Sequence, residues 1–326
     1  GDARGAALDF AAAQAEAVTD EERAAAAYWR GRAASAAGDA AMADLFFRRA
    51  AEAWPRTFHG GLAAARAGVA IAVAPRQKAR ADDAPLAAVR VLYRFDRRDF
   101  ALQLLADLAR DVTRPSRVAA AAALAREALD PHAEYVVGEI ASRLGLPMAA
   151  AAYPLDGLPA FDPLPGSAPP AVTLAIARQE SAFVARAASG AGAHGLMQMI
   201  LPTARATAAA AREPFDLARF FADPAYNARL GAAHLGSLIA GYRGDYALTF
   251  AAYNAGPGAV ARWIALHGDP RDPRVDPVDW IEQIPYAETR DYVERTFANF
   301  ETYRARLGER APDLAADRGL PRAPSR

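Results

Sequence analysis

The chain contains no cysteine, so disulfides and thiolate metal sites are excluded. That absence leaves the compartment open, because cytosolic and periplasmic proteins alike do without cysteine. Histidine is scarce too. His59, His132, His194, His234 and His267 are scattered, with no pair at i, i+4, so a metalloenzyme is a poor fit and neither metal nor cofactor is expected. Nor is there an excess of either charge: Lys+Arg and Asp+Glu stand at 38 each, with a pI near 7.2. A nucleic-acid binder held by counterion release would normally be basic, so that class is disfavoured. A neutral sugar polymer is compatible with this balance, as are many other ligands. No uncharged stretch reads as a membrane span, and Gly1-Asp2-Ala3-Arg4 has no apolar signal core. The protein is expected to be cytosolic, or else a mature or trimmed chain without its leader.

What is present is alanine-rich and 53% hydrophobic, over 326 residues, enough for two domains. Alanine favours helix nearly everywhere. Residues 6–150 read as short amphipathic helices with polar or Gly turns. In the clearest pair, Ala24 to Ala36 runs into Gly38-Asp39, and Ala41 to Trp54 follows, stopped by Pro55. Gly31, Gly38, Ala43, Phe47, Ala50 and Pro55 fall at the offsets of a tetratricopeptide helix hairpin, where small residues permit close packing. Segments near 60–73, 84–95, 98–112, 116–129 and 132–144 continue without a strict period, predicting an irregular α-superhelix. Pro154, Pro159, Pro163, Pro165, Pro169 and Pro170, with Gly157 and Gly166, interrupt the helices. The division expected is therefore an accessory domain over 1–152, a Pro-rich linker over 153–170, a second helical domain over 171–310 and a frayed tail over 311–326.

Pro169-Pro170 suits a helix start, and Val172, Ile176 and Glu180 then recur at i, i+4, i+8, with Phe183 three further on. Glu180 thus shares the apolar stripe, where burial would raise its pKa towards that of a useful proton donor. On spacing alone, a Glu at the stripe's edge paired with Arg178 or Arg186 is the more frequent case. Next, Gly190, Gly192 and Gly195 imply a tight turn that would carry Ser189 and Gln198 towards the same cleft; alone, a plain inter-helix loop serves as well. Tyr253 and Asn254 precede Gly256-Pro257-Gly258 and offer a ring face and an amide to a sugar, or a cap to the next helix. Trp280 to Tyr292 leads into a last helix, where Glu288, Thr289 and Arg290 have equally good structural roles.

Taken in order, these segments resemble the soluble lytic transglycosylases, a lysozyme-like family acting on peptidoglycan. The matching pieces are Arg178-Gln179-Glu180-Ser181, Gly192-Ala193 with Gly195-Leu196-Met197-Gln198, Ala252 to Gly258, and Ile284-Pro285-Tyr286 with Glu288-Thr289-Arg290. Asp223-Pro224, Asn227, Leu230 and Gly231 fit between them. The fold implied is mainly α: a tetratricopeptide-like α-superhelical domain followed by a lysozyme-like catalytic domain. Family members carry more helical chain upstream, so residue 1 is not expected to be the natural start. The resemblance places the acid/base on Glu180, and sugar-binding positions on Ser189, Met197, Gln198, Tyr253, Asn254, Glu282 and Tyr286. Two departures stand out. Ile200 replaces a family Met, and the following proline arrives one residue late, at Pro202. His234 stands where an aromatic is common and is expected in the core or the cleft wall.

The activity implied is cleavage of the β-1,4 bond between N-acetylmuramic acid and N-acetylglucosamine, with Glu180 acting as acid and then base and a 1,6-anhydro ring closing. The partners implied are peptidoglycan glycan strands, with loose association to the cell wall or its synthesis machinery, in the periplasm of a Gram-negative cell. No second carboxyl lies in the motif loops, although Glu213, Asp216, Asp223 and Asp245 occupy intervening segments. A goose-type lysozyme hydrolysing the same bond and an inactive helical-repeat scaffold are the alternatives.

Overall fold

The structure is a computed structural model that describes residues 2–76 and 83–309; the tail expected over 311–326 lies outside the described residues. Helices dominate, as the alanine content requires. In chain order they are α1 (Ala3–Glu16), α2 (Asp20–Ala36), α3 (Ala40–Ala53), α4 (Phe58–Ala67), α5 (Ala84–Arg94), α6 (Arg98–Ala109), α7 (Pro115–Glu127), α8 (Pro131–Arg143) and α9 (Ala149–Ala152). After a helix-free stretch come α10 (Pro170–Ser181), the short strands β1 (Ala193–His194) and β2 (Met199–Ile200), α11 (Leu201–Ala210), α12 (Leu217–Ala222) and α13 (Pro224–Gly241). The chain closes with α14 (Tyr246–Ala255), α15 (Pro257–His267), α16 (Pro277–Glu282) and α17 (Ala287–Leu307).

Aspartates begin many of these helices. Asp39, Asp83, Asp130, Asp216, Asp245 and Asp276 each accept a first-turn backbone N–H, and Thr19 with Glu22 forms a full capping box on α2. Stretches without a cap lean on proline in the first turn, as at α7, α11 and α15.

By spatial proximity the chain forms two compact units. The first comprises, among the described residues, those up to Ala72, Gly166–Ala175 and those from His234 onward. In it α1 to α4 pack each on the next, and α14, α15 and α16 gather with α17. The α2–α3 hairpin shows why Gly31 is small: a Cβ there would lie 2.6 Å from Phe47 Cε1. An aromatic cluster of Tyr246, Phe250, Phe297 and Phe300 joins α14 to α17, and Phe58 brings α4 onto the same cluster, its ring 5.7 Å from that of Phe297.

The second unit comprises Val73–Pro165 and Ile176–Ala233. Its α5–α9 core is built from Leu86, Val89, Leu105, Val118, Val137 and a run of buried alanines. Small side chains let α8 and α9 touch: a Cβ on Gly138 would fall 2.0 Å from the Ala152 nitrogen. The proline-rich 153–165 stretch has no helix, as its prolines dictate, yet Tyr153, Pro154, Gly157 and Leu164 are buried. The β1–β2 hairpin, pairing Ala193 with Ile200 and His194 with Met199, has no counterpart in the sequence expectation.

Candidate functional site

Glu180 occupies the last turn of α10. Every residue from Ala171 to Ala177 is buried, so the helix is apolar all round there and has no single stripe. Val172 and Ile176 are fully buried, whereas Glu180 is only half-buried. The helix therefore runs through protein and delivers the carboxyl at its emerging end. Arg178, one of the two arginines set against Glu180 as a structural partner, has several other partners. Its Nε donates to the Ala152 carbonyl at 3.1 Å, its head pairs with Glu139, and it lies over the Tyr153 ring at 4.0 Å and the Tyr135 ring at 5.0 Å. Arg186 is exposed.

The chain turns sharply after Ser181. Ala182 (φ 47°) and Phe183 (φ 65°) are both left-handed, a conformation that costs a residue bearing Cβ roughly 1–2 kcal/mol. Strain of this kind persists where surroundings over-determine it. Here Phe183 is buried edge-on to Tyr135 and against Gly157, where a Cβ would lie 2.5 Å from the ring. The Ala182 carbonyl meets His132 Nδ1 at 2.8 Å. Nothing in the spacing of apolar residues announced this pair.

The glycine-rich loop is fastened to the same helix end. Buried Ser181 Oγ lies within reach of both the Ala177 carbonyl (3.0 Å) and the Leu196 carbonyl (2.9 Å). Ser189 closes the turn: its Oγ accepts the Ala193 N–H at 3.0 Å, which leaves the hydroxyl hydrogen to donate elsewhere. Gln198, itself left-handed at φ 42°, donates from Nε2 to the Ala187 and Gly195 carbonyls, so its amide nitrogen braces the loop. Asn227, 1% exposed, donates to the His194 carbonyl and accepts the Met197 N–H, each at 3.0 Å. Met197 has no exposed surface and packs over Gly231, where a Cβ would lie 2.4 Å from its Cγ. Ser181, Ser189, Met197 and Gln198 thus belong to one hydrogen-bonded construction, and Glu180 directly precedes Ser181 on α10. The clamp, Asn227, was noticed in the sequence only as part of a motif.

The departures at Ile200 and Pro202 fit this frame. Ile200 is the last residue of β2, paired with Ala193 and partly exposed, and Pro202 falls in the first turn of α11. A proline there needs no N–H partner, which accommodates its late arrival.

The four carboxylates that could have supplied a second acid are each engaged. Glu213 pairs with Arg229 at 3.2 Å, and Asp223 with Arg219 at 2.8 Å. Asp216 caps α12, and Asp245 caps α14.

The other expected positions lie in the first compact unit. Tyr253, half-buried on α14, packs its ring 5.6 Å from that of His234, a cleft-wall candidate whose pKa burial lowers. Asn254 does not cap α15, because its Oδ1 accepts from the buried Thr289 hydroxyl on α17 at 2.7 Å. Gly256, at φ 82°, breaks the chain between α14 and α15. Tyr286 is exposed and edge-on to Trp263 at 5.3 Å. Glu282 ends α16, half-buried, with its Oε1 3.0 Å from His59 Nε2. Arg290 reaches the Glu282 carbonyl at 3.5 Å. Among the described residues, no group of three or more His, Asp or Glu side chains is arranged to hold a metal ion.

Comparison with known proteins bears on the family and the fold. Residues 166–273 match the family described as the transglycosylase SLT domain, a span that includes Glu180, Ser189, Met197, Gln198, Tyr253 and Asn254. The soluble lytic murein transglycosylase of Escherichia coli (strain K12) is 34% identical over 149 residues, which is 45% of this chain and 22% of that protein. A putative soluble lytic murein transglycosylase of Haemophilus influenzae is 34% identical over 46% of this chain and 24% of its own length. Among solved structures, the 70-kDa soluble lytic transglycosylase of Escherichia coli superposes with a TM-score of 0.70 at 26% identity, covering 93% of this chain and 49% of that one. An inactive Glu-to-Gln mutant of the lytic transglycosylase Slt from Pseudomonas aeruginosa gives a TM-score of 0.68 at 26% identity, covering 89% and 47%. The chain thus spans about half the length of the solved relatives and a smaller share of the curated ones. The mainly α-helical class expected from the sequence is the one observed. Residues 166–273 thus match the transglycosylase SLT domain, and the chain is similar in sequence and fold to soluble lytic murein transglycosylases.

Proposed function

We propose that the chain is a peptidoglycan lytic transglycosylase with Glu180 as its single acid and base. The observation that carries this reading is the placement of Glu180. A buried helix presents the carboxyl at its end, two left-handed residues turn the chain away, and the glycine loop is bonded back through Ser181. Such over-determination fits a group that must hold its geometry while a proton moves.

In the proposed reaction, protonated Glu180 donates to the glycosidic oxygen between N-acetylmuramic acid and N-acetylglucosamine as the C1–O bond breaks. The substrate's 2-acetamido group stabilises the developing positive charge at C1, and the Ser189 hydroxyl orients it. The Glu180 carboxylate then takes the proton of the muramoyl 6-hydroxyl, whose oxygen closes onto C1. One C–O bond breaks and one forms, the proton returns to Glu180, and no water is consumed. Tyr253, Asn254, Glu282 and Tyr286 are assigned to sugar contact, with Gln198 and Met197 shaping the loop beneath. The structural engagement of Glu213, Asp216, Asp223 and Asp245 supports one carboxyl over two. An essential glutamate is supported by the inactive Glu-to-Gln mutant of the Pseudomonas aeruginosa relative.

Residues 171–310 are proposed as the catalytic domain, 1–152 as the helical accessory domain and 153–170 as their connection. The working compartment proposed is the periplasm; among the described residues no helix is long and apolar enough to cross a membrane.

The test is digestion of purified sacculi by the wild type and by Glu180→Gln, with mass spectrometry of the products. Anhydro ends from the wild type alone are expected. Reducing ends one water heavier would replace the lyase with a hydrolase, and retained turnover in Glu180→Gln would sink the assignment of the acid.

A further inference from the structure

The short helix α16 carries three carboxylates at i, i+3 and i+6: Asp276, Asp279 and Glu282. All three are met by side chains from α2 and α4. Arg32 on α2 reaches Asp276 at 2.9 Å through one nitrogen and Asp279 at 2.8 Å through another. Glu282 is met by His59 of α4 at 3.0 Å. A carboxylate only accepts, so His59 donates from Nε2. His59 is itself 5% exposed and fixed among rings: Phe58 at 5.0 Å, Tyr28 at 5.4 Å and Trp29 at 6.3 Å. It cannot swing away without opening that cluster. About a third of the Glu282 side chain stays open, so a carboxylate gripped from one side still has surface to offer a ligand.

We propose that His59, far from Glu282 in sequence, is a positioning residue for the reaction, holding the Glu282 carboxylate ionised and oriented towards the glycan. This rests on the assignment of Glu282 to sugar contact. It also gives the N-terminal helices a part in the chemistry, since an unsupported Glu282 at a six-residue helix end would be free to rotate.

The surroundings of Glu282 make the support necessary. Burial works against its charge, while the His59 hydrogen bond and charge, with Arg290, outweigh it and hold the carboxyl below the usual glutamate range. The neighbouring carboxyls Glu294 and Asp279 have their own proton affinity raised by the Glu282 charge, after burial. Without His59, Arg290 would be left to oppose burial.

Three variants of the full chain test this: His59→Leu, His59→Gln and Arg32→Met. Glutamine keeps a side-chain N–H donor and cannot titrate, whereas Arg32→Met loosens the same helix without touching Glu282. With soluble glycan strands as substrate, His59→Leu is expected to lose turnover by about tenfold, the scale of a displaced contact group. The acid limb of its pH–rate profile should move towards neutral. His59→Gln should recover most of the turnover, and Arg32→Met should lower Tm while keeping kcat. The carbon-13 titration of the Glu282 carboxyl, read by NMR, should move upward most in His59→Leu, less in His59→Gln and not in Arg32→Met. That titration reads the contact whether or not Glu180 is the acid, so failure of the catalytic reading is separable from failure of this one. Wild-type turnover and an unmoved acid limb in His59→Leu would overturn the proposal. So would His59→Gln as impaired as His59→Leu, or Arg32→Met losing as much turnover as either.

Discussion

Gly195 and Asn227 are in van der Waals contact so close that a Cβ on the glycine would stand 2.4 Å from the Asn227 side-chain carbon. Gly195 is also left-handed at φ 76°. The asparagine in turn serves both sides of Gly195, the His194 carbonyl before it and the Met197 N–H two residues after it. Asn227→Ala removes the side-chain partner of a half-buried carbonyl and of a buried N–H, at about 1–3 kcal/mol. The expected result is a Tm lower by several degrees with turnover reduced further than stability alone explains, since the loop beside Glu180 loses its clamp. Gly195→Ala should do at least as much harm, because both the contact and the backbone angle oppose it. Thermal unfolding and sacculus digestion of both variants, compared below either Tm, check this. An Asn227→Ala protein with full activity would show that the loop is held by other means.

Much of the helical plan could be read from spacing. The α2–α3 hairpin was visible because packing demands small residues at fixed offsets, and Gly31 against Phe47 is such a demand. Glu180 was legible as a candidate, yet for an incomplete reason: the helix is buried on all sides, and the carboxyl is notable for lying where it emerges. The strain at Ala182 and Phe183 was illegible. Left-handed angles leave a signature when glycine or asparagine bears them, and here alanine and phenylalanine do. The β1–β2 hairpin is two residues per strand, too short for an alternating pattern. His59 and Glu282 lie far apart in the chain, and no local period connects them. That the first 72 residues share a compact unit with α14–α17 is likewise a matter of long-range contact, which one sequence does not encode in any window.

The Gly31–Phe47 contact makes a reciprocal prediction. Gly31→Ala places a methyl 2.6 Å from a buried ring and should destabilise the first unit by about 1–3 kcal/mol. Phe47→Leu alone should also destabilise, by removing ring contacts with Tyr28. Combined, the two should cost less than their sum, because the smaller leucine makes room for the methyl. Denaturant titration of the four proteins gives the coupling. Strict additivity would mean that α2 and α3 shift apart freely.

Asn254 presents a choice between a sugar ligand and a structural brace. Its Oδ1 accepts from Thr289, which is 3% exposed. If the brace dominates stability, Asn254→Ala and Thr289→Val should each cost about 1 kcal/mol and the double variant little more than either. If Asn254 also contacts the glycan through its amide nitrogen, Asn254→Ala should raise KM while Thr289→Val does not. Stability curves with kinetics on soluble strands separate these two contributions. Equal KM values in both variants would remove Asn254 from the sugar-contact set.

Glu294, on α17, predicts a pH dependence of stability with a definite sign. Burial first, then the nearby charges of Glu282 and Asp291, push its pKa up to about 8, against the opposing pull of Arg290 and Arg295. An unfolded chain would titrate it near the ordinary value of 4.5. Below that ordinary value both states hold the proton, and the group contributes no pH dependence. Between it and about 8 the folded state binds the proton and the unfolded state does not, so stability falls as pH rises. Above about 8 both states are ionised and the loss is complete. The slope is at most about 1.4 kcal/mol per pH unit, and with relaxation of the side chain the total should be on the order of 2 kcal/mol. Glu294→Gln removes the titrating proton while keeping the shape. The variant should gain on the wild type progressively from pH 5 to 8 and hold a constant advantage beyond. Urea unfolding of both proteins across pH 5–9 measures the difference directly, so contributions from Asp279 and Glu301, which are raised in the same direction, cancel between them. Parallel curves over that range would mean that Glu294 is ionised in the folded protein, with Arg290 and Arg295 prevailing over burial.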